Sequence, residues 1–421
     1  MMVNSHLIQQ YEPIVAQETL DQLYQLAKPL NNIKVVHVNS TSVGGGVAEI
    51  LNKFVPLFNA LGIEAKWEVI SGSLEFFSCT RSMHDGIQGN KIMPSQQLLH
   101  IYEETNKQNA ERLRATLEEA DVVIVHDPQP LPLIASFPKK KGKWIWRCHI
   151  DASQPYRPLW KYLLQYIKQY DATIFSLAEF THPLPQPMYI IPPSIDPLSE
   201  KNIELDQAEI SSVYSQFDLD PNHPIILQVS RFDAFKDPLG VIEAFKLVKK
   251  YNPKAQLVLA GGTAADDPMG EVILQQVKIA AKDDPNIKIL LLPGDAHRTI
   301  NALQRAANIV VQKSIREGFG LTVTEGLWKG KPLIAGNTGG IKLQVIQRET
   351  GFVVNTPEGA AYRMRYLLQH PSIGQIMGAK GKEYVREKFL ITRQLRDYLT
   401  VIYSLLNGDS DRMELPAYVK T

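Results

Sequence analysis

The 421-residue chain contains only two cysteines, Cys79 and Cys148. Two thiols are too few for a disulfide framework or for a four-ligand thiolate metal site, so we expect both to be reduced and partly buried. No stretch approaches 18 uninterrupted apolar residues, and the first residues lack a basic segment followed by an apolar one. Neither a membrane span nor a signal peptide is therefore predicted, and a soluble cytoplasmic protein is the expectation.

An excess of either charge is also missing. The chain has 45 Lys and Arg residues against 44 Asp and Glu residues, which gives a formal net charge of +1. A nucleic-acid-binding protein normally carries a basic excess, so no nucleic-acid partner is predicted. Hydrophobic residues make up 44% of the chain, which is typical of a globular protein. At about 150 residues per domain, the length favours two large domains.

Short apolar, often β-branched runs alternate with longer runs of helical period. In the segment 46–62, for example, the apolar residues follow the i, i+3, i+4, i+7 spacing of an amphipathic helix. Alternation of this kind over the whole length predicts an α/β fold with parallel sheets and helices on both faces. The predicted strands form two series: 33–38, 66–70, 122–126, 143–150, 172–176 and 188–192, then 225–230, 255–261, 287–292, 309–312, 331–335 and 351–354.

The two series are separated by a segment rich in Pro, Asp and Ser at 193–224, which has no long apolar run. We therefore predict two doubly wound domains, one spanning 1–195 and one spanning 196–389. The amphipathic run 392–406 predicts a helix that packs back on the body, so that residues 390–421 join the first domain.

Three glycines lie between the first predicted strand and the first amphipathic helix, in the motif Thr41-Ser42-Val43-Gly44-Gly45-Gly46. Gly45 and Gly46 would allow a close backbone approach, and the free amides of the helix start favour an anion such as a diphosphate. The motif is neither G-x-G-x-x-G nor a P-loop. A flexible turn without a ligand explains it equally well.

Two cations follow the first strand of the second domain, in the run Arg231-Phe232-Asp233-Ala234-Phe235-Lys236-Asp237. In a doubly wound sheet, ligands bind beyond the carboxyl ends of the strands. Arg231 and Lys236 would supply one forked and one point-like cation there, which suits a leaving diphosphate. The alternative is a surface ion pair with Asp233 or Asp237.

Two glutamates eight residues apart follow the strand 309–312. Glu317 on a loop could accept hydrogen bonds from sugar hydroxyls, and Glu325, one turn into a helix, could hold a ribose diol. Such a spacing also arises by chance. The loop and helix start between the two glutamates are expected to bind substrate, and they comprise Gly318, Phe319, Gly320, Leu321 and Thr322.

Polar residues also follow two strands of the first domain, His126-Asp127 after one and Arg147-Cys148-His149-Ile150-Asp151 after the next. We predict that they face a cleft between the domains, although a histidine in such a place is often structural. Two further turns, 260–263 and 337–341, follow strands of the second domain. The first could pass close to a nucleobase and the second could open an anion-binding helix, or both are ordinary turns.

Taken together, these motifs resemble those of the family 4 retaining glycosyltransferases, which have the GT-B fold of two Rossmann-like domains facing a cleft. Within that family the segments HVNSTSVGGGVAEIL, HDPQP, WRCHID and IPPSIDPLSEKN look like the trehalose synthases, which transfer glucose from a nucleoside diphosphate to free glucose. The resemblance runs from the thirties to the three-forties and so covers most of the chain.

The resemblance implies a role for each motif. The C-terminal domain would hold the NDP-glucose (ADP-, UDP- or GDP-glucose), with Arg231 and Lys236 neutralising the leaving diphosphate, Glu317 on the donor glucose and Glu325 on the ribose. The N-terminal domain would hold the acceptor. Its residues would act as follows: His149 contacts the donor sugar near its reacting face, Gly45 and Gly46 approach the diphosphate, and Asp127 and Asp151 bind glucose hydroxyls, on the acceptor side.

The expected reaction needs no cofactor and no bound metal. Pairs such as Asp266-Asp267 and Asp283-Asp284 are explained by a solvated loop and a helix end. The expected partners are the nucleotide sugar and the acceptor sugar; the residues do not specify the oligomeric state, and a homodimer is one option. The alternatives are a trehalose phosphorylase, a family 4 enzyme making sucrose or another glucoside, and a non-catalytic nucleotide-sugar sensor.

Overall fold

The computed structural model describes residues 6–43, 45–262, 268–282 and 284–408. These described residues fall into two compact units, the first within the ranges 1–194 and 391–421 and the second within 195–390. Each unit is an α/β sandwich around one six-stranded parallel sheet. The predicted α/β architecture of two doubly wound parallel sheets is confirmed. No helix within the described ranges is both long and apolar enough to span a membrane.

The first sheet has the order β2-β1-β3-β4-β5-β6. Its strands are short, and β3 and β5 are buried along their whole length, as expected for a sheet covered on both faces. Its strands are β1 Lys34–Asn39, β2 Glu64–Val69, β3 Val122–His126, β4 Lys143–Arg147, β5 Ala172–Phe175 and β6 Met188–Ile190. Its helices are α1 His6–Gln9, α2 Gln17–Ala27, α3 Gly46–Ala60, α4 Leu74–Ile87, α5 Gln96–Glu119, α6 Arg157–Ile167 and, from the end of the chain, α15 Ile391–Asn407.

Helix α15 packs on helices of the first unit. The Tyr398 ring lies edge-on to Phe54 of α3 at a centroid distance of 5.0 Å, and Arg396 donates to the Gln22 side chain of α2 at 3.1 Å. Its buried stripe includes Leu395, Leu399 and Ile402, at the helical spacing that the sequence shows.

The second sheet has the order β12-β11-β10-β7-β8-β9. Its strands are β7 Ile225–Val229, β8 Gln256–Gly261, β9 Ile287–Leu291, β10 Ile309–Gln312, β11 Leu333–Gly336 and β12 Gly351–Val354. Its helices are α7 Gln207–Gln216, α8 Pro238–Lys249, α9 Pro268–Ala281, α10 His297–Ala306, α11 Leu321–Trp328, α12 Ile341–Gln344, α13 Pro357–Gln369 and α14 Pro371–Lys388. Four short 3-10 helices complete the described structure: Lys28–Leu30, Leu131–Ser136, Ala178–Phe180 and Ala234–Lys236.

Two local details of the prediction differ from the structure. No helix was predicted in the segment 193–224, but α7 lies within it, and residues 195–224 belong to the second unit. Strand β4 ends at Arg147 rather than at 150, because the His149 amide donates to the Asp127 side chain at 2.7 Å instead of continuing the ladder. The turn 337–341 leads into the single helical turn α12, which is too short to offer an anion-binding terminus, so of the two interpretations the ordinary turn remains.

Both cysteines are free and buried.

Candidate active site

The two motifs of the second unit come together at its topological switch point. Strand β7 lies between β8 and β10. The chain adds β8 and β9 on one side of β7 and then adds β10, β11 and β12 on its other side. The loops after β7 and β10 therefore flank the crevice where open α/β sheets bind ligands. The loop after β7 carries Arg231 and Lys236, and the loop after β10 carries Glu317. Ile315 of the second loop donates its amide to the Phe235 carbonyl of the first at 2.8 Å, which ties the two loops together.

Lys236 and Glu317 form an ion pair with 2.6 Å between Nζ and Oε2, and their side chains are only 17% and 10% exposed. The same carboxylate oxygen accepts a hydrogen bond from the Ser314 hydroxyl at 3.1 Å. An ammonium group has three donors, so two N–H groups of Lys236 remain for other acceptors. The partner suggested by the sequence, Asp237, instead pairs with the buried Lys313 and caps helix α8 at the Gly240 amide.

Arg231 is held much more loosely than Lys236. Its side chain is 53% exposed, and its only ion pair within the described part of the chain joins Nη2 to Asp233 Oδ2 at 3.6 Å. A contact of this length at the surface contributes little, so the guanidinium fork is available to a planar or tetrahedral oxyanion. The surface ion-pair interpretation thus describes Arg231 and not Lys236.

The loop between the two glutamates is shaped by glycines. Gly320 has a φ of +84°, and Gly339 of the neighbouring turn has a φ of +46°. A Cβ atom at position 339 would clash, because it would lie only 1.6 Å from the Glu317 carbonyl oxygen. The Gly340 amide donates to the Gly318 carbonyl at 3.0 Å, so the turn after β11 fastens the loop that carries Glu317. Phe319 is 5% exposed and its ring packs on Phe389, while its carbonyl accepts a hydrogen bond from the Gln344 side-chain amide at 2.6 Å.

Glu325 lies deeper than Glu317. It is 3% exposed, and the Gln304 amide donates to its Oε2 at 3.4 Å. One turn further on, at the C-cap position of α11, the buried Lys329 donates to the Asn202 side chain at 2.7 Å. Burial lowers the pKa of Lys329 to about 7, although the Glu325 charge pulls in the opposite direction. The structure therefore places the two glutamates in different surroundings, one against a cation and one against an amide.

Leu321 and Thr322 begin helix α11 directly after Gly320, which occupies the N-cap position without a side-chain cap. The first amides of a helix have no intrahelical acceptor and carry its positive dipole end. They lie beside the loop that carries Glu317. In the turn 260–263, Gly261 closely approaches the Ser230 carbonyl, and Thr263 lies outside the described residues.

The polar residues of the first unit gather at the corresponding switch point, between β1 and β3. Helix α3 begins here at Gly46, and Gly45 has a φ of +80° with open space around its missing side chain. Gly44 lies outside the described residues. The positive φ explains why glycine occupies position 45, because L side chains rarely adopt it.

Asp127 follows β3 with a φ of +62°, and its Oδ1 accepts the His149 amide at 2.7 Å. Burial raises the pKa of Asp127 to about 7, against the lowering effect of that hydrogen bond and of Arg147. Asp151 is less constrained, since its Oδ1 accepts hydrogen bonds from the amide and hydroxyl of Ser153 at 2.9 and 2.6 Å. Asp127 and His149 are thus brought together, and Asp151 lies two residues further along the same loop.

The sequence pattern pointed to His126 but not to His37, and it did not predict that the two histidines would meet. His37 of β1 faces His126 of β3, with 3.0 Å between Nδ1 and Nε2, and His126 Nδ1 lies 2.9 Å from His149 Nε2. The register pairs His37 with Ile124, two residues before His126, so the period-two alternation of adjacent strands already places both histidines on one face.

Within the four described ranges, no group of three or more His, Cys, Asp or Glu side chains is arranged to hold a metal ion. Asp266, Asp267 and Asp283 lie outside those ranges. Asp284 pairs with Lys249 and accepts the Asn286 amide at 3.0 Å, which is the behaviour of a helix-end carboxylate.

Two Rossmann-like units with glycine-rich loops and polar side chains at their switch points are the architecture of the GT-B glycosyltransferases. A solved structure with this fold, an alpha,alpha-trehalose-phosphate synthase (UDP-forming) from Burkholderia vietnamiensis, superimposes with a TM-score of 0.71 at 14% identity, covering 89% of this chain and 98% of that one. Residues 214–384 match the family of glycosyl transferases group 1, and residues 37–182 match the N-terminal domain of trehalose synthase.

Sequence comparison with curated proteins narrows the family. The chain is 45% identical over 402 residues to the trehalose synthase of Pyrococcus horikoshii, covering 94% of this chain and 96% of that protein. It is 43% identical over 402 residues to the trehalose synthase of Rubrobacter xylanophilus, with the same coverage. The chain therefore belongs to the trehalose synthase family and is a trehalose-related glycosyltransferase, as its motifs predicted.

Proposed function

We propose that the protein transfers glucose, with retention of configuration, from a nucleoside-diphosphate glucose to free glucose and so forms trehalose. The observation that carries this proposal is the grouping of Arg231, Lys236 and Glu317 at the switch point of the second sheet. Two cations beside one carboxylate suit a substrate that joins an anionic diphosphate to a neutral, hydroxyl-rich sugar.

The donor half of the reaction depends on charge. When the bond between the anomeric carbon and the β-phosphate oxygen breaks, negative charge grows on the phosphate and positive charge on the sugar. Lys236 and Arg231 stabilise the phosphate charge more strongly in the transition state than in the ground state, which is the condition for catalysis. Glu317 orients Lys236 and accepts hydrogen bonds from the donor glucose, and Glu325 is assigned to the ribose.

The backbone donors have a related role. The amides of Leu321 and Thr322 bind the nucleotide sugar, and the amides at Gly45 and Gly46 approach the diphosphate. Asp127 and Asp151 bind hydroxyls of the acceptor glucose. The acceptor hydroxyl attacks on the face that the diphosphate leaves, its proton passes to the departing phosphate oxygen, and the glycosidic bond forms. No cofactor or metal ion enters this scheme.

The proposal is tested by incubating the purified protein with ADP-, UDP- or GDP-glucose and glucose, and by determining the linkage of the product by NMR. The expected product is the non-reducing α,α-1,1-linked disaccharide together with one equivalent of nucleoside diphosphate. Glu317→Gln should abolish turnover, whereas Glu349→Gln, an exposed glutamate of the same unit, should not. A reducing disaccharide, or no sugar product with any of the three donors, would contradict the proposal.

A phosphorylase is separated by the same assay run backwards. Trehalose with inorganic phosphate would yield glucose 1-phosphate from a phosphorylase, whereas trehalose with a nucleoside diphosphate yields NDP-glucose from the enzyme proposed here. A sensor would bind the nucleotide sugar and release no diphosphate.

A further inference from the structure

Three histidines of the first unit form a continuous hydrogen-bonded chain. His37 Nδ1 lies 3.0 Å from His126 Nε2, and His126 Nδ1 lies 2.9 Å from His149 Nε2. The adjacent rings are stacked, at centroid distances of 5.3 and 5.2 Å. Of the six ring nitrogens, this leaves one at each end, His37 Nε2 and His149 Nδ1.

Burial favours the neutral form of all three rings. Burial lowers the pKa of His37 to about 3, and it lowers those of His126 and His149 far below the usual value, helped by the fixed positive charge of Arg147. Among the other titratable groups near these rings, burial raises the pKa of Asp127 to about 7 and also raises the pKa of Tyr398 of α15. A proton on any one imidazole would repel its neighbours.

Neutrality couples the tautomers along the chain. A hydrogen bond between two neutral imidazoles needs one N–H and one bare nitrogen, so only two arrangements satisfy both bonds. In the first, His37 donates to His126, His126 donates to His149, and His149 carries its hydrogen on Nδ1. In the second, every hydrogen is moved to the other nitrogen of its ring.

The buried end of the histidine chain, at His37, decides between the two tautomer arrangements. His37 is fully buried, and its Nε2 has no hydrogen-bond partner. Of the aromatic rings beside it, Phe54 and Phe58 carry no oxygen or nitrogen, and the Tyr398 hydroxyl makes no hydrogen bond with this nitrogen. The second arrangement would place an N–H at this position, whereas the first leaves only a bare nitrogen. A buried N–H group without an acceptor is rarer in proteins and costs more free energy than a buried acceptor without a donor, so the first arrangement is favoured.

We propose that the buried histidines His37 and His126 are positioning residues that fix His149 as the neutral Nδ1–H tautomer, with that N–H as the donor offered to a sugar substrate. A neutral donor has a specific advantage, because an imidazolium would repel the positive charge that develops on the anomeric carbon. The catalytic use of this donor rests on the proposed function, but the tautomer itself does not.

The test is nitrogen-15 NMR of the full chain labelled at histidine, in which the two ring nitrogens report directly which one carries the hydrogen. Two other histidines of the protein serve as references for the two tautomers. His182 faces the Ala152 carbonyl through Nε2 at 2.6 Å and so represents Nε2–H, and His370 faces the Tyr366 carbonyl through Nδ1 at 2.9 Å and so represents Nδ1–H. His149→Gln assigns the signal. We expect His149 to match the His370 pattern at neutral pH. A protonated Nε2 on His149, in the neutral or the charged ring, would overturn the proposal.

Two variants of equal size test the role of His126. In His126→Asn the amide can still donate to His149 Nε2, whereas in His126→Asp the carboxylate can only accept and draws the hydrogen onto Nε2. We expect the Asn variant to keep the Nδ1–H signal and the Asp variant to lose it, with kcat about tenfold lower in the Asp variant than in the Asn variant and a smaller change in KM. Equal tautomers and equal kcat in both variants would refute the positioning role.

The failures of the two ideas are distinguishable. If the wild-type spectrum shows the Nδ1–H tautomer while no sugar product forms from any donor, the histidine chain stands and the proposed function is wrong. If trehalose forms and the spectrum shows Nε2–H, the proposed function stands and this inference is wrong.

Discussion

The ion pair between Lys236 and Glu317 predicts a separation of stability from activity. Both side chains are largely buried, and at 2.6 Å their gross attraction is about 6 kcal/mol for an effective dielectric constant of about 20. Most of this offsets the loss of hydration, so we expect a net coupling of about 2 kcal/mol. Lys236→Met leaves a poorly solvated carboxylate with only Ser314 as its donor, and should lower the free energy of unfolding by a comparable amount.

The double variant removes the orphaned charge. Glu317→Gln alone should also destabilise the second unit, because it leaves the Lys236 ammonium without its counter-ion. Combining the two substitutions should recover about 2 kcal/mol relative to the sum of the single effects, since neither charge then remains buried alone. Activity should not recover, because the cation at the departing phosphate is still missing; we expect kcat to stay lower by about 100- to 1000-fold.

The assay is a double-mutant cycle on the unfolding transition of the second unit, with turnover measured on the same four proteins. The control is the pair Lys288 and Asp218 of the same unit, where the aspartate side chain is 96% exposed and a coupling near zero is expected. Strict additivity at Lys236 and Glu317 would refute the electrostatic argument. Recovery of turnover in the double variant would refute the assignment of Lys236 to the phosphate.

Three further predictions follow from single residues. Arg231→Ala should raise the donor KM and lower kcat while leaving the melting temperature unchanged, because its contact with Asp233 is long and exposed; a large loss of stability would contradict this. Burial raises the pKa of Asp127, so wild type should lose stability as the pH rises from about 4 to about 7, because the unfolded state releases this proton before the folded state does. Asp127→Asn cannot titrate and should therefore become more stable relative to wild type over this range. Free energies of unfolding measured at several pH values would show no such trend if the carboxyl were unperturbed. Gly339→Ala should displace the Glu317 backbone and abolish turnover, whereas Gly294→Ala, which meets nothing within 4 Å, should not; equal activities would argue against the tight turn.

The hydrophobic pattern predicted most of the fold because parallel strands buried on both faces leave a strong local signal. All twelve predicted strands are present, within three residues at each end. The helix α7 was missed because Val213 is its single buried residue, so it has almost no apolar stripe to recognise. The early end of β4 depends on a side chain 22 residues away, the Asp127 carboxylate, which takes over the His149 amide. No periodicity can reveal such a substitution of one acceptor for another.

The candidate site was predictable in its location and not in its pairings. The rule that ligands bind beyond the carboxyl ends of strands located Arg231, Lys236 and Glu317 from sequence, since each follows a recognisable strand. The partner of Lys236 was beyond such reasoning, because Glu317 is 81 residues away and Asp237 is adjacent. What removes Asp237 from competition is its left-handed backbone and its place at the start of α8, where it caps the helix and meets Lys313.

The same reasoning explains why function resides in a few groups of a nearly neutral chain. With 45 cations against 44 anions, the net charge contributes little to steering a diphosphate. Under the proposed function, recognition therefore comes from short-range geometry: an ammonium held by a buried carboxylate, a loosely held guanidinium, and helix amides that glycines keep open. The histidine chain of the first unit follows the same logic with no net charge at all, because three neutral rings can set the direction of one N–H only if each fixes the tautomer of the next.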